Sequence, residues 1–155
     1  MVRIHMLVGI PASGKTTYAK ELAKKLNIPV VSSDEMRNLH PDTKEADIWP
    51  LIYEECIRLV KNGQDFIYDA TNVTPKVRTN FKNIIKEQTS DFEIGTYYFD
   101  TDPKICYDRA IKRNNMPGER FIPPEVILSY GEKIIAPKDD EGFIFRKVIK
   151  NDSHN

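Results

Sequence analysis

The chain has 155 residues, 40% of them hydrophobic and 30% charged, which is enough to bury the core of a single domain without a disulfide or a structural metal. Its 23 basic and 23 acidic side chains give a formal net charge of zero, which argues against a protein that coats nucleic acid by bulk positive charge. The two cysteines, Cys56 and Cys106, lack a metal-ligand spacing, and no stretch is long and apolar enough to cross a membrane, so we expect a soluble, cytoplasmic protein.

Strand-like and helix-like stretches alternate along the chain. Apolar runs rich in β-branched and aromatic residues predict strands at 2–8, 29–33, 64–69, 92–99 and 142–149. Helices are predicted at 15–26, about 45–61, 75 to about 88, 103 to about 113, and 123–134. Two of these helices open on an N-cap residue followed by proline, at Thr74-Pro75 and Asp102-Pro103.

This alternation predicts the fold class and the place of the site. We expect one α/β domain over residues 1–155, with three α/β/α layers around a five-stranded, mostly parallel sheet and a frayed tail at about 150–155. Ligands of such sheets bind beyond the carboxyl ends of the strands. The polar segments 9–16, 32–37 and 69–72 each follow a predicted strand, so they are expected to meet at one edge.

The first of these segments is a phosphate loop. Residues 9–16, GIPASGKT, match G-x-x-x-x-G-K-[ST] in full, between a predicted strand and a predicted helix. Backbone N–H groups of such a loop surround phosphate oxygens, which we expect to need glycine torsions at Gly9 and Gly14. The pattern predicts that Lys15 reaches the β- and γ-phosphates of ATP and that the Thr16 hydroxyl ligates Mg²⁺. The expected donor-binding residues are Gly9, Pro11, Ala12, Ser13, Gly14, Lys15, Thr16 and Thr17.

The second segment carries a carboxylate and a guanidinium three residues apart. Asp34 and Arg37 follow the second predicted strand, and on a helical turn they share one face. A kinase needs an anionic side chain that orients or deprotonates the acceptor hydroxyl, and it gains from an arginine fork that holds a phosphate on the acceptor. A helix cap with a solvated ion pair explains the same spacing equally well, so both interpretations stay open here.

Two further segments supply candidate residues. Asp69 ends an apolar strand, where it is expected to lie near Mg²⁺ or to pair with a basic residue, or else to cap the following turn. Arg78 lies in the next helix and is a candidate for contact with the acceptor. Arg109, Arg113 and Arg120 flank a polar break that predicts a helical lid over about 104–123, whose arginines would bind the donor phosphates. A solvated basic helix is the alternative to the lid.

These segments together resemble the polynucleotide 5′-hydroxyl kinases, within the wider class of small P-loop kinases, over about residues 4–135. The specific parts of the likeness are SSDEMR at 32–37 and YDATN at 68–72. The resemblance implies that Asp34 is the general base, that Arg37 binds a 3′-phosphate of the acceptor, and that Arg113 is the lid arginine. It also implies substrate-binding roles for Asp69, Thr71 and Asn72. Some members carry another lid arginine where this chain has Met116-Pro117, and Arg120 is the candidate replacement.

The resemblance implies transfer of the γ-phosphate of ATP, with Mg²⁺, to the 5′-hydroxyl of a polynucleotide or of a 3′-phosphorylated nucleotide. The expected partner is therefore a nucleic-acid 5′ end or a nucleotide, with no membrane or protein partner and no room in 155 residues for an added phosphatase or ligase domain. Zero net charge favours a short acceptor over a long duplex. Two alternatives stay open: a P-loop kinase of a small-molecule or RNA-linked hydroxyl, and an ATP-binding interaction module without catalysis.

Overall fold

The structure is a computed structural model that describes residues 1–118 and 121–151. Its strands are β1 (Val2–Val8), β2 (Val30–Ser32), β3 (Phe66–Asp69), β4 (Phe92–Phe99) and β5 (Arg146–Ile149). Its α-helices are α1 (Lys15–Leu26), α2 (Ser33–Leu39), α3 (Glu45–Lys61), α4 (Pro75–Lys86), α5 (Pro103–Asn114) and α6 (Pro124–Lys133). A 3₁₀ turn covers Asp139–Glu141 between α6 and β5.

The five strands form one sheet in the order β2-β3-β1-β4-β5. Every pairing of these strands in the described residues is parallel, so the predicted five-stranded α/β sheet is confirmed. Because all strands run the same way, the segments after β1, β2 and β3 emerge at the same edge. Strands β2 and β3 lie on one side of β1, whereas β4 and β5 lie on the other. The direction of winding therefore reverses at β1, and parallel sheets bind ligands at the carboxyl ends of the strands where this reversal occurs.

Helices cover both faces of the sheet because β1 sends alternate side chains to opposite sides. Ile4 and Met6 belong to a buried cluster with α3 and α4, which contribute Ile52 and Phe81. Leu7 belongs to a second cluster on the other face, with residues of α1, β3 and β4. A third cluster joins the start of the phosphate loop and the segment after β3 to α5 and α6, through Ile10, Val73, Cys106, Ala110 and Ile127. This third cluster fixes α5 and α6 beside the loop.

Two parts of the chain differ most from the sequence expectation, and β3 also begins at Phe66 rather than at 64. Residues 33–39 form a separate short helix, α2, whose N-cap Ser32 accepts a hydrogen bond from the Glu35 amide at 3.2 Å. The last strand begins at Arg146 rather than at 142. The 3₁₀ turn ends at Glu141, and residues 142–145 lead from it to the strand without regular strand geometry, although Ile144 already donates to the Ile94 carbonyl of β4 at 2.9 Å. No helix within the described ranges has the length and apolarity needed to cross a bilayer.

Candidate active site

The phosphate loop lies between β1 and α1, at the carboxyl edge of the sheet. Gly14 is the N-cap of α1 and has φ 97°, a left-handed torsion that glycine adopts at little cost. A glycine cap has no side chain, so the first amides of α1 are available to an anion, which the helix dipole also attracts. The expectation of a glycine torsion at Gly9 is wrong. A Cβ there would instead lie 2.8 Å from Ser13 Oγ and 3.0 Å from Phe99 Cβ, so Gly9 is required by close packing.

Lys15 is buried at the start of α1, with its ammonium inside the loop. Its Nζ donates a hydrogen bond to the Ile10 carbonyl at 3.0 Å. Burial lowers the pKa of Lys15, while the nearby carboxylates of Asp69 and Asp34 act against that shift. That Lys15 reaches the β- and γ-phosphates of ATP stays a prediction.

Thr16 and Asp69 meet beside the loop. The Thr16 hydroxyl donates to Asp69 Oδ2 at 3.3 Å. Asp69 is buried at the end of β3, and this burial raises its pKa, although the charge of Lys15 opposes the rise. Hydroxyl and carboxylate oxygens are the ligands that Mg²⁺ prefers, so the residues present fit the ion. Among residues 1–118 and 121–151, no group of three or more His, Cys, Asp or Glu side chains could hold a metal alone, so donor phosphates would have to complete the coordination.

A cleft of about 1170 Å³ joins the four segments singled out in the sequence. Most of the predicted site residues line it: Pro11, Ala12, Gly14, Lys15, Thr16, Thr17, Asp34, Arg37, Asp69, Thr71, Arg109 and Arg113. The backbone amide of Gly9 donates to the Thr71 carbonyl at 3.0 Å, which ties the loop after β3 to the phosphate loop. Arg120 lies outside the described residues.

Asn72 and Arg78 lie behind the cleft wall instead. The Asn72 side chain donates to the Leu7 carbonyl at 2.8 Å and thereby holds the end of β1. Arg78 is fully buried; its Nε and Nη2 donate to both carboxylate oxygens of Glu141, and its Nη1 donates to the Asn72 carbonyl at 2.8 Å. The position of Arg78 does not match the expected contact with an acceptor. It joins α4 to the turn before β5, and no sequence pattern marks a partner 63 residues away.

Asp34 and Arg37 lie together in the cleft, on α2. Arg37 Nη1 donates to Asp34 Oδ1 at 2.7 Å. Glu45, the first residue of α3, accepts from the same guanidinium: Nη2 lies 2.6 Å from Oε1, and Nε lies 3.0 Å from Oε2. Glu45 also lines the cleft, and the sequence analysis missed it. An acidic residue at the start of a helix is ordinarily explained by the helix dipole, so its sequence position gave no reason to place it in a site.

Arg109 and Arg113 of α5 have different surroundings. Arg109 Nη1 donates to the Ala12 carbonyl at 3.1 Å, and its Nη2 donates to the Asn151 carbonyl at 2.8 Å, so it fastens α5 to the phosphate loop. The Asn151 side chain in turn donates to the Ser13 carbonyl at 3.1 Å. Arg113 lines the cleft one turn further along and lies near enough to Lys15 to contribute to its lowered pKa. Asn151 was also missed, because the sequence analysis assigned it to a frayed tail; it lies two residues beyond β5 and is held by these contacts.

The phosphate loop between β1 and α1, its buried lysine and the parallel sheet define the fold of the small P-loop kinases. The chain belongs to the AAA_33 family, described as an AAA domain, whose model matches residues 4–133. No curated protein matches the chain significantly.

Solved structures share this fold. A chain of the Pnkp1/Rnl/Hen1 RNA repair complex matches with a TM-score of 0.73 and 25% identity over 85% of this chain and 43% of that chain. A fungal RNA kinase matches with a TM-score of 0.70 and 14% identity over 98% of this chain and 75% of that chain. A sugar kinase from Janibacter sp. HTCC2649 matches with a TM-score of 0.69 and 18% identity over 97% of this chain and 86% of that chain. The likeness to these last two kinases shows the fold alone, because one fold serves many acceptors.

Proposed function

We propose that this chain is an ATP-dependent kinase that phosphorylates the 5′-hydroxyl of a polynucleotide or of a 3′-phosphorylated nucleotide. One observation carries the proposal: the Asp34–Arg37 pair lines the same cleft as the phosphate loop. A carboxylate and a guanidinium in contact at 2.7 Å suit an acceptor that presents a hydroxyl close to a phosphate. The likeness to a chain of an RNA repair complex, at 25% identity, accords with this acceptor class.

The donor end of the cleft is formed by the phosphate loop and its neighbours. The first amides of α1 and the ammonium of Lys15 would bind the β- and γ-phosphates of ATP. Thr16 and Asp69 would hold Mg²⁺ together with the donor phosphates. Bound Mg²⁺ supplies charge neutralisation on those phosphates. Arg113, which lies on the lid side of the same cleft, would stabilise the negative charge on the transferred group.

The acceptor end of the cleft would be formed by α2. Asp34 would accept the proton of the acceptor hydroxyl as that oxygen attacks the γ-phosphorus. The new oxygen–phosphorus bond forms as the bond between the γ-phosphorus and the bridging oxygen breaks, so ADP leaves and the chain forms no covalent intermediate. Arg37 would hold the acceptor's phosphate and thus set the direction from which the hydroxyl approaches.

A second candidate function is phosphorylation of a small neutral polyol. Glu45 and Asp34 are two carboxylates on one side of the cleft, and carboxylates bind sugar hydroxyls well.

A panel of acceptors separates these functions. Labelled ATP and Mg²⁺ are offered with 5′-hydroxyl DNA and RNA oligonucleotides, 3′-nucleotides, nucleosides and sugars. We expect label on the oligonucleotides or 3′-nucleotides, and label on sugars alone would replace the proposal by the second candidate. ATP binding without transfer to any acceptor would identify a nucleotide-dependent interaction module.

A further inference from the structure

The guanidinium of Arg37 is shared between two carboxylates. Asp34 accepts a hydrogen bond from Nη1, whereas Glu45 accepts hydrogen bonds from Nε and Nη2, which form one edge of the guanidinium. That edge presents two parallel N–H donors, the arrangement in which an arginine binds a carboxylate or a phosphate through two oxygens. The edge best suited to a phosphate is therefore occupied by a side chain of the protein itself.

We propose that Glu45 determines acceptor specificity by competing with the acceptor's phosphate for the Nε–Nη2 edge of Arg37. This inference rests on the proposed function, because it concerns the phosphate of the acceptor. In the ligand-free chain Glu45 holds Arg37, and an acceptor phosphate must displace the Glu45 carboxylate in order to bind.

Charge and exposure explain why a phosphate can win this competition. Asp34, Glu45 and Arg37 carry one positive and two negative charges, so the cluster repels weakly bound anions. A phosphate dianion offers Arg37 more charge and more acceptor oxygens than a carboxylate does. The Glu45 side chain is 61% exposed, so it can return to water when displaced, whereas Arg37 is only 23% exposed and stays in place. The cluster thus favours acceptors with a phosphate beside the hydroxyl over weaker anions.

The chain contains its own reporter of this exchange. Trp49 is its single tryptophan and lines the cleft, and the Arg37 Cζ atom lies 5.6 Å from the centre of its ring. A change of partner at Arg37 alters the charge distribution over the indole, so tryptophan emission reports binding at this edge without any need for phosphoryl transfer.

The test is a titration of Trp49 emission with thymidine 3′-phosphate, and with thymidine as the phosphate-free probe. We compare the wild type with Glu45→Gln, which keeps the shape and removes the charge. Two matched controls are Glu55→Gln, which breaks a 2.6 Å ion pair with Arg58 on the same helix, and Asp47→Asn, which removes another charge from the first turn of α3. Far-UV circular dichroism checks that each variant is folded.

We expect Glu45→Gln to bind thymidine 3′-phosphate about fivefold more tightly than the wild type, as removal of a partly exposed ionic competitor allows. Thymidine binding and both controls should stay unchanged. Equal or weaker binding of thymidine 3′-phosphate by Glu45→Gln would overturn the inference, since Glu45 would then only support Arg37.

The proposed function is tested separately by transfer of label to the same probe. If Glu45→Gln binds thymidine 3′-phosphate more tightly but no label is transferred to it, the acceptor assignment is contradicted, and the competition between Glu45 and phosphate for Arg37 still holds. If label is transferred to thymidine 3′-phosphate but Glu45→Gln binds it no more tightly than the wild type, the proposed function holds and the competition by Glu45 is contradicted. A probe that binds neither protein would overturn both.

Discussion

Asp34 is the residue on which the proposed chemistry depends. It is exposed to the cleft, and its charge is felt by both Lys15 and Asp69, which places it near the donor end. Replacing it by asparagine keeps the shape and removes the proton acceptor. We expect Asp34→Asn to lower kcat by about 10²- to 10⁴-fold, the usual contribution of general base catalysis. ATP affinity should change little. Single-turnover transfer from labelled ATP and calorimetric ATP binding measure the two effects.

The control for this change is Glu35→Gln, which removes the adjacent exposed carboxylate of α2 and should leave turnover unchanged. If Asp34→Asn bound ATP much more weakly but kept its turnover at saturating ATP, Asp34 would have a role in binding the donor and not in activating the acceptor.

Arg37 is the residue that connects acceptor binding to phosphate. Lysine keeps the charge but lacks the two parallel donors of the guanidinium. We expect Arg37→Lys to raise KM about tenfold for acceptors with a 3′-phosphate, by analogy with loss of a charge-assisted hydrogen bond, and to change KM little for acceptors without one. Steady-state kinetics on paired oligonucleotides measure this split, and Arg58→Lys on α3 is the control. An equal rise for both acceptors would assign Arg37 a purely structural role.

Sequence reasoning located the residues of local patterns and missed those with distant partners. The donor loop could be predicted because its glycines, lysine and hydroxyl lie within eight consecutive residues, directly after a predicted strand. The structural role of Arg78 could not be predicted, because its partner Glu141 is 63 residues away and an ion pair leaves no periodic pattern in the sequence. Roles in catalysis for Asp34, Arg37 and Arg113 stay predictions.

At the scale of elements, capping residues gave the most reliable boundaries. Thr74 Oγ1 accepts from the Val77 amide at 3.2 Å, and Asp102 Oδ1 accepts from the Lys104 amide at 2.9 Å, as the cap-and-proline pairs predict. Helix α3 continues through Pro50 because its buried residues, among them Ile48 and Ile52, pack on the sheet and outweigh the lost hydrogen bond. The 7-residue helix α2 is too short to show a clear helical period, so it was not predicted as a separate element.

The ion pair between Arg78 and Glu141 joins α4 to the turn before β5. The Arg78 side chain is 0% exposed and that of Glu141 is 9% exposed, so removal of one charge leaves the other buried. We expect Glu141→Gln to lower the free energy of unfolding by about 3 kcal/mol at neutral pH, because breaking a buried pair uncovers an unpaired charge. Urea denaturation measures this loss. Binding of thymidine 3′-phosphate should stay unchanged, since the pair lies behind the cleft. A large change in that affinity would indicate that Arg78 contacts the acceptor.

The same pair predicts a pH dependence with a definite sign. Burial alone would raise the pKa of Glu141, but hydrogen bonds from Arg78 and from the Lys138 amide outweigh it and hold the pKa below its usual 4.5. A lowered carboxyl pKa stabilises the fold above the unfolded-state pKa, and this stabilisation is lost as pH falls through the folded-state value. The difference in unfolding free energy between wild type and Glu141→Gln should therefore shrink as pH falls from about 7 to about 3. A constant difference over that range would contradict the charge-based explanation.

At the scale of the whole molecule, the sequence predicted the α/β class and the five-stranded sheet, because strands and helices alternate in chain order. Strand order follows from contacts across the sheet and could not be obtained from local pattern. The contact between Asn151 and the phosphate loop is of the same kind, since it joins residues that lie 138 positions apart.

This contact should affect donor binding. Asn151→Ala removes the hydrogen bond to the Ser13 carbonyl, while the backbone contact from Arg109 remains. We expect ATP affinity to fall about fivefold, the effect of losing one hydrogen bond of about 1 kcal/mol. Calorimetric titration with Mg-ATP measures the loss. Asn115→Ala, which removes only a bond to the Ile111 carbonyl within its own helix, is the control. Unchanged affinity in Asn151→Ala would show that the loop keeps its shape without this contact.

The tie between Ser13 and Asn151 has a consequence for biosynthesis. A ribosome makes the phosphate loop well before Asn151, which lies 138 residues after Ser13 and emerges only after β5. A nascent chain that has not yet reached residue 151 has the whole nucleotide-binding motif but lacks this fastening. Tight binding of a nucleotide is therefore expected only after β5 has joined the sheet. ATP would then preferentially stabilise molecules whose sheet is already assembled.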